Sequence, residues 1–381
     1  MKGSAKRYRF GVDVRRMYRR TGLGIVPYHL VRMLPKLDGQ DAFQWFLYEK
    51  PAPTGGFKVF VQSLIKETFW KQLVLPIQLF LNRIDAFLST TPIVPFLSPC
   101  PSVAFIYDLS FLRYRESLRQ VPSVVDKFFL LVYRLSATRA TRIITISVSS
   151  KKDIVEFLKV PSKKVEVVYL GVDRSYKRCS ANLGLEVRRR YGIDREFLLA
   201  VVGRFIPRKN VPTLIASYAE LPSSLRSIYD LVILGDRDHS SFLPIAQMIR
   251  RLAVDDRVKV VQHVNRSDLP AIYSSASILV HLCLHEGFGL PILESMACGT
   301  PVVASNTSSI PEVAGDSAVL VDPLNPQAVC KAIREVLVDC DLRNALVTKG
   351  VERAKHFSWE ISVRKIVRIL IEVAVGNGDN S

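Results

Sequence analysis

The chain is predicted to be an α/β protein of two domains built on parallel sheets, and three observations predict it. At 381 residues it exceeds one typical domain and suits two of about 150 to 190 residues each. An apolar content of 48% is ample for two cores, and the Leu, Ile and Val runs exclude disorder. A plan of buried strand, glycine, loop and helix occurs twice in the second half of the chain, and in open parallel sheets the carboxyl edge of such strands is where ligands bind.

The elements follow in order. The N-terminus, MKGSAKRYRFGVDV, is basic and runs directly into a strand with no apolar signal segment, so a cytosolic chain is expected. Gly22 and Gly24 form a turn that opens a helix from Ile25 to Leu34. From Glu67 to Arg83 the mixed segment ETFWKQLVLPIQLFLNR reads as a helix kinked at Pro76 and packed on the sheet. A helix lying in a membrane interface is the alternative. The uncharged run Ala86–Tyr107 has 22 residues but carries Pro92, Pro95, Pro99 and Pro101, a density that a membrane-spanning helix does not tolerate. It reads as a strand Ala86–Leu88, a connector, and a strand Val103–Tyr107. After a strand at Val165–Tyr169, the polar stretch DRSYKRCSANL from Asp173 to Leu183 marks the boundary between domains of residues 1–180 and 181–357. A last helix, Trp359 to about Val375, sets Ile366, Ile369, Leu370 and Val373 against Arg364, Lys365 and Arg368. A membrane-surface helix is its alternative reading. Six cysteines with no two-residue spacing argue against both a metal site and a secreted disulfide framework.

Chemistry concentrates in the two repeated plans. Ser277–His281 reads as a buried strand, Gly287 and Gly289 allow close backbone approach to a ligand, and a helix from Pro291 to Cys298 begins at once, with Gly299 just past its end. Its free N–H groups and positive dipole end make an anion site without any side chain. Glu286 and Glu294 lie before this helix mouth and one turn inside it, so a ligand across the mouth meets a carboxylate on each side. Carboxylates accept the hydrogen bonds that sugar hydroxyls donate. Two surface charges on an ordinary turn explain the spacing equally well when it is taken alone. The other plan places strand Phe197–Val202 before GRFIPRKN, with Gly203, Arg204 and Lys209 at the strand's carboxyl end and Asn210 as a helix cap. Solvated loop charge is the alternative for Arg204 and Lys209.

Together GRF, RKN, HEGFGLPILE and SSIPEVAG (Ser308–Gly315) resemble the retaining glycosyltransferases of family 4, also called group 1, from Gly11 to about Val375. The resemblance implies the GT-B architecture, two Rossmann-like doubly wound parallel-sheet domains facing a cleft, with the last helix (358–375) crossing back to the first domain. It implies that Arg204 and Lys209 hold the diphosphate of a nucleotide sugar and that Glu294 holds the ribose hydroxyls. Glu286, with the backbone of Gly287, Phe288, Gly289 and Leu290, would face the transferred sugar. Gly203 and Gly24 stand at the ligand-facing turns, and Asp108 matches the Asp of a His-Asp pair whose His is here Tyr107. Ile25-Val26 replace the usual Arg-Tyr, and Leu282-Cys283 the usual Pro-Ser. Base contacts are expected near Gly235 and Gln262-His263.

Charge is divided unevenly. Residues 1–180 hold 30 Lys or Arg against 13 Asp or Glu, a net of +17, while 181–381 hold 23 against 22, a net of +1. The first half is therefore expected to meet a polyanion such as phospholipid headgroups or a phosphorylated acceptor. Arg15, Arg16, Arg19 and Arg20 form the tightest cluster. No zinc, helix-turn-helix or RNA-recognition signature accompanies these residues, which argues against nucleic acid. The resulting expectation is a cytoplasmic enzyme, peripheral on the inner face of the plasma membrane. It would move a hexose from a nucleotide diphosphate sugar, GDP-mannose by likeness, to a hydroxyl of a lipid-linked glycan, with retention and with no metal or other cofactor. A nucleotide-sugar epimerase and a non-catalytic polyanion-binding protein are the alternatives.

Overall fold

The computed structural model describes residues 7–15, 17, 24–37, 43–48, 69–113, 123–238 and 240–376. Two units divide the chain. One runs to Leu112, takes in the chain as far as Gly171 and recovers it from Trp359, and the other holds Val172–Ser358. The division thus lies just before the polar stretch 173–183 instead of within it. Backbone pairing explains the difference: Val172 donates to the Phe357 carbonyl at 2.9 Å and forms a parallel bridge with Ser358. Tyr176 is buried and Cys179 N–H bonds Ser274 Oγ at 3.0 Å, so a segment of linker-like composition is anchored in the second unit.

In the first unit the strands are β1 (Tyr8–Asp13), β2 (Phe43–Tyr48), β3 (Ala86–Ser89), β4 (Ser102–Phe105), β5 (Arg142–Thr145) and β6 (Val165–Val167). They pair in parallel in the order β2-β1-β3-β4-β5-β6. Helices α1 (Ile25–Met33), α2 (Leu75–Leu81), α3 (Ser123–Arg139) and α4 (Val148–Leu158) accompany them, and a π turn, Trp70–Val74, leads into α2. The expected packing of this segment holds for one face: Trp70, Leu75 and Leu79 join Tyr48, Ile84 and Phe87 in one cluster. Glu67 lies outside the described residues. The last helix, Trp359–Val375, belongs to this unit and buries Ile366, Ile369, Leu370 and Val373. Trp359 stacks on His29 of α1 at 4.0 Å, and Ser362 Oγ donates to the Tyr169 carbonyl at 2.6 Å. Its apolar face is therefore already covered, which removes the membrane-surface alternative for this helix. Its outer cations Arg364 and Arg368 pair with Glu360 and Glu372.

The sheet order turns at β1 and β3, and a buried charge cluster sits there. Arg15 grips Asp13 with two bonds, Nε to Oδ1 at 2.8 Å and NH2 to Oδ2 at 2.7 Å, while its guanidinium lies over the Trp70 ring at 4.4 Å. Lys71 Nζ, fully buried, is 3.2 Å from Asp13 Oδ2 and donates to Ser89 Oγ and to the Ile93 carbonyl. Burial works to raise the Asp13 pKa, but Lys71 and Arg15 together hold it far below the carboxylate range. Arg15 is thus an internal counter-ion and not part of a surface patch. Arg16, Arg19, Arg20 and Gly22 lie outside the described residues.

The second unit repeats the plan with β7 (Glu196–Gly203), β8 (Tyr229–Gly235), β9 (Val258–Val261), β10 (Ile278–His281), β11 (Val302–Ser305) and β12 (Val319–Val321). All neighbours are parallel, in the order β12-β11-β10-β7-β8-β9. The strands are almost wholly apolar because helices cover both faces; Leu198, Ala200, Leu231, Ile233, Ile278 and Val280 lie in one core. Helices α5 (Val211–Ala219), α6 (Leu290–Ala297) and α7 (Ile310–Ala314) follow β7, β10 and β11. The order reverses between β7 and β10, the two strands whose following loops the sequence singles out.

Candidate active site

The sheet order of the second unit makes the site. Neighbouring strands β7 and β10 send their connections to opposite sides, which opens a crevice at their carboxyl ends. GRFIPRKN leaves β7 and HEGFGLP leaves β10, so both loops meet there. They are joined by backbone and side chain: Leu284 N–H donates to the Arg208 carbonyl at 2.8 Å, and Arg208 NH1 to the His285 carbonyl at 3.2 Å.

The charges form a tight group. Lys209 Nζ lies 2.6 Å from Glu286 Oε2 and Arg208 NH1 lies 3.3 Å from the same oxygen. Burial of Glu286 opposes ionisation, but the two cations, Lys209 first, hold its pKa far below the carboxylate range. Burial likewise opposes the charge on Lys209, and Glu286 more than restores it, so its pKa is raised. Beneath them His281 is held neutral, its pKa lowered to about 4 by burial and by Lys209, and burial pushes the Cys283 thiol up to about 12. His281, Cys283 and Glu286 offer three ligand atoms within 4.8 Å of one another. A divalent cation placed among them would face the Lys209 ammonium and the Arg208 guanidinium, both already on Glu286, so the charge of the group does not fit a metal. All six cysteines are free thiols.

Arg204 does not join this group. It is exposed, and among the described residues its guanidinium has no ion pair; the second cation at Glu286 is Arg208. The short 3-10 turn Pro207–Lys209 brings residues 208 and 209 to the crevice together, whereas Arg204 precedes the turn. Arg208 stands in the RKN run, where of the two cations the sequence reading singled out only Lys209. Asn210 is also not the side-chain cap expected. It stands in the left-handed region, φ 51°, and its Nδ2 donates to the Pro323 carbonyl at 2.6 Å.

Gly289 precedes α6 with φ 106° and Gly299 follows it with φ 75°, values that favour glycine. The helix is Leu290–Ala297 with Pro291 in its first turn, one residue earlier at each end than expected. SSIPEVAG fixes the loop in front of it. Ser308 Oγ accepts from Glu286 N–H at 2.9 Å, and Ser309 Oγ donates to the carbonyls of Glu286 and Phe288 at 2.7 and 2.9 Å. Phe288 is buried and meets Phe357 edge-on, so the loop from Gly287 to Leu290 is pinned on both sides.

One turn inside α6, Glu294 is held by two tyrosines that sequence reasoning missed. Tyr273 Oη donates to Glu294 Oε2 at 2.9 Å, and the Tyr176 ring packs edge-on against Tyr273, 5.9 Å between centroids, close enough for its hydroxyl to act on the same carboxylate. Burial raises the Glu294 pKa, and the two hydroxyls act against that rise. Neither tyrosine lies near a motif, so nothing in the sequence marked them. Gly203, φ 67°, has nothing within 4 Å of a Cβ position, leaving its surroundings open. Gly235 packs against Phe205, where a Cβ would approach Cζ to 2.7 Å. An open cavity of about 460 Å³ borders β9 and includes Gln262 and Arg237.

In the first unit, Asp108 Oδ1 accepts from Ser110 N–H at 3.0 Å and Oγ at 2.7 Å, which starts the short helix Ser110–Arg113. Tyr107 is buried. Gly24 stands at the start of α1 with φ −90°, a conformation open to any residue.

Residues 185–353 match the family described as glycosyl transferases group 1. The O-antigen chain mannosyltransferase B of Escherichia coli is 33% identical over 225 residues, 59% of this chain and 59% of that protein. The serotype-specific mannosyltransferase WbdA of Escherichia coli is 29% identical over 268 residues, 68% of this chain but 32% of that protein. The chain thus matches between about a third and three fifths of the length of these curated relatives. Among solved structures, the sucrose-phosphate synthase of Thermosynechococcus elongatus superposes with a TM-score of 0.75 at 18% identity, covering 97% of this chain and 100% of that one, a likeness of fold.

Proposed function

We propose that the chain, whose residues 185–353 match the group 1 glycosyl transferases and whose fold is GT-B, is a retaining mannosyltransferase of that family acting in cell-surface polysaccharide synthesis. It moves mannose from GDP-mannose to a hydroxyl of a lipid-linked glycan. Two relatives named as mannosyltransferases support the sugar. The observation that carries the reading is Glu286 set between Lys209 and Arg208 at the β7/β10 switch point. Two fixed cations and the N-terminal end of α6 converge there, charge suited to a departing diphosphate.

In this reading the donor lies across the mouth of α6. Glu294, oriented by Tyr273 and Tyr176, accepts the ribose hydroxyls, and the diphosphate draws Lys209 and Arg208 partly away from Glu286. Glu286 and the backbone of Gly287 to Leu290 then face the hexose. The cations supply the stabilisation that a bound metal supplies elsewhere, so the reaction needs none. Asp108 of the first unit and Arg204 are assigned lesser parts, Asp108 as the starting cap of its helix and Arg204 as a solvent-facing cation at the crevice rim. The basic first unit faces an anionic membrane surface from the cytoplasmic side; among the described residues no helix is long and apolar enough to cross it.

Release of GDP from GDP-mannose, with and without a polyprenyl-linked glycan acceptor, tests the reading. Turnover should require the acceptor and persist in EDTA. UDP-glucose consumed faster than GDP-mannose would overturn the donor assignment, and loss of activity in EDTA that Mg²⁺ restores would overturn the metal-independent mechanism.

A further inference from the structure

The segment from Phe69 to Leu81 is inverted relative to an ordinary surface helix. Its one charged side chain, Lys71, is buried against Asp13, and each of its exposed positions carries a large apolar residue. Phe69, Leu73, Ile77, Phe80 and Leu81 are all more than half exposed, Phe80 to 70%. With Trp70, Leu75 and Leu79 already satisfying the core, this outer stripe packs on nothing among the described residues.

A second apolar stripe lies on α3. Gln72 donates to the Val94 carbonyl at 3.1 Å and accepts from Phe96 N–H at 2.8 Å. On the other side of the same loop, Ser136 Oγ accepts from Val94 N–H at 2.8 Å and donates to the Pro92 carbonyl at 2.7 Å. The loop 92–97 therefore joins the two helices on one face of the sheet, and Leu97 projects from it with 79% exposure. On α3 the exposed apolar residues are Phe128, Leu131 and Leu135, at helical spacings of three and four. Exposed apolar surface of this extent, borne by two helices tied to one loop, marks an interaction site.

Its surroundings select the occupant. Arg134 and Arg139 are exposed on α3, and Lys152, Lys159 and Lys163 are exposed on or just after the adjacent α4; among the described side chains of these two helices the exposed acid is Glu156. An apolar stripe without polar pattern, bordered by cations, complements an anionic bilayer: acyl chains for the stripe, phosphates for the rim. We propose that this face of the first unit is a membrane-docking surface. The 69–81 segment lies in the plane of the bilayer with Phe69, Leu73, Ile77 and Phe80 below the headgroups, and Leu97 and the α3 stripe extend the contact. This rests on the membrane reading above and adds insertion to electrostatic attraction.

The test uses the full chain and vesicles of phosphatidylcholine with about a third phosphatidylglycerol. A Phe80→Trp variant should show blue-shifted emission on vesicles and quenching by lipids brominated on the acyl chain. Binding should persist in 0.5 M salt, where screening shortens electrostatic attraction to a few ångströms. The triple variant Leu73→Glu, Ile77→Glu, Phe80→Glu should lower partitioning about 100-fold or more, with unchanged circular dichroism and unchanged GDP release in solution. Complete release by salt, with no spectral shift of the indole introduced by Phe80→Trp, would leave a purely electrostatic membrane contact and overturn insertion. A wild-type chain that ignores anionic vesicles altogether would overturn the membrane reading itself. If light scattering instead shows a dimer that the triple variant dissolves, a second copy covers this face and the proposal fails.

Discussion

Replacing Lys209 by Met separates what the Glu286 ion pair does for stability from what it does for catalysis. At 2.6 Å from Glu286, Lys209 contributes about 6 kcal/mol of gross attraction at an effective dielectric of about 20. Arg208, at 3.3 Å, contributes about 5 kcal/mol by the same rule. Loss of Lys209 leaves Glu286, 18% exposed, with one cation. Breaking a buried pair typically costs about 3 to 5 kcal/mol; the residual exposure and the remaining Arg208 lower this to about 2 to 3 kcal/mol. For a unit of this size that is a fall in Tm of about 5 to 10 °C. Turnover should fall further, by about 10² to 10³, as for loss of a preorganised charge stabiliser. The double variant Lys209→Met, Glu286→Gln removes both charges, so most of the lost Tm should return while turnover stays low. Differential scanning fluorimetry and GDP release measured on the same samples decide the matter. A double variant no more stable than Lys209→Met would refute the coupled pair. An Arg204→Ala variant impaired as severely as Lys209→Met, with Arg208→Ala unaffected, would refute the assignment of the cations.

Three further outcomes follow from the geometry. Tyr273→Phe removes the hydrogen bond that counters the burial of Glu294, so the Glu294 pKa should rise further; GDP affinity should fall about 5- to 10-fold, as for loss of one hydrogen bond to a charged group, and the acid limb of binding should move to higher pH, read by calorimetry across pH. The folded pKa of Glu286 is depressed from 4.5, so its stabilising contribution is complete above that value and is lost as pH falls below it toward the folded pKa. Lys209, raised from 10.5, keeps its contribution below that value and loses it only as pH rises through the folded pKa. Urea midpoints of wild type and Glu286→Gln should therefore differ at pH 7 and begin to approach each other only as pH falls below about 4. Gly235→Ala drives a methyl into the Phe205 ring and should cost about 1 to 3 kcal/mol of stability, recovered in part by Phe205→Leu; equal Tm for wild type and Gly235→Ala would show that the ring yields freely.

The sequence by itself determined the kind of fold and pointed to the two loops where the candidate site is read. Uninterrupted apolar strands such as Phe197–Val202 require cover on both faces, and glycine and proline at Gly289, Pro291 and Gly299 admit few backbone paths, so strand, loop and helix were legible from local chemistry alone. Glu286, Glu294 and Lys209 were singled out for the same reason, since each is tied to such a turn, and the fold brings Glu286 and Lys209 into contact. Tertiary structure decided what depends on distant neighbours. Arg208, and not Arg204, reaches Glu286 because a 3-10 turn rotates it toward a loop 77 residues away. Tyr273 reaches Glu294, with Tyr176 packed beside it, only when three separate segments come together. The polar stretch after Val172 looked like a linker by composition, yet pairing with Ser358 binds it into the second unit. Lys71 gave no sign in the sequence of being a buried counter-ion. Once Asp13 draws it inward, the apolar residues of the same helix are left facing out, an orientation that periodicity cannot choose because both faces of that helix are apolar.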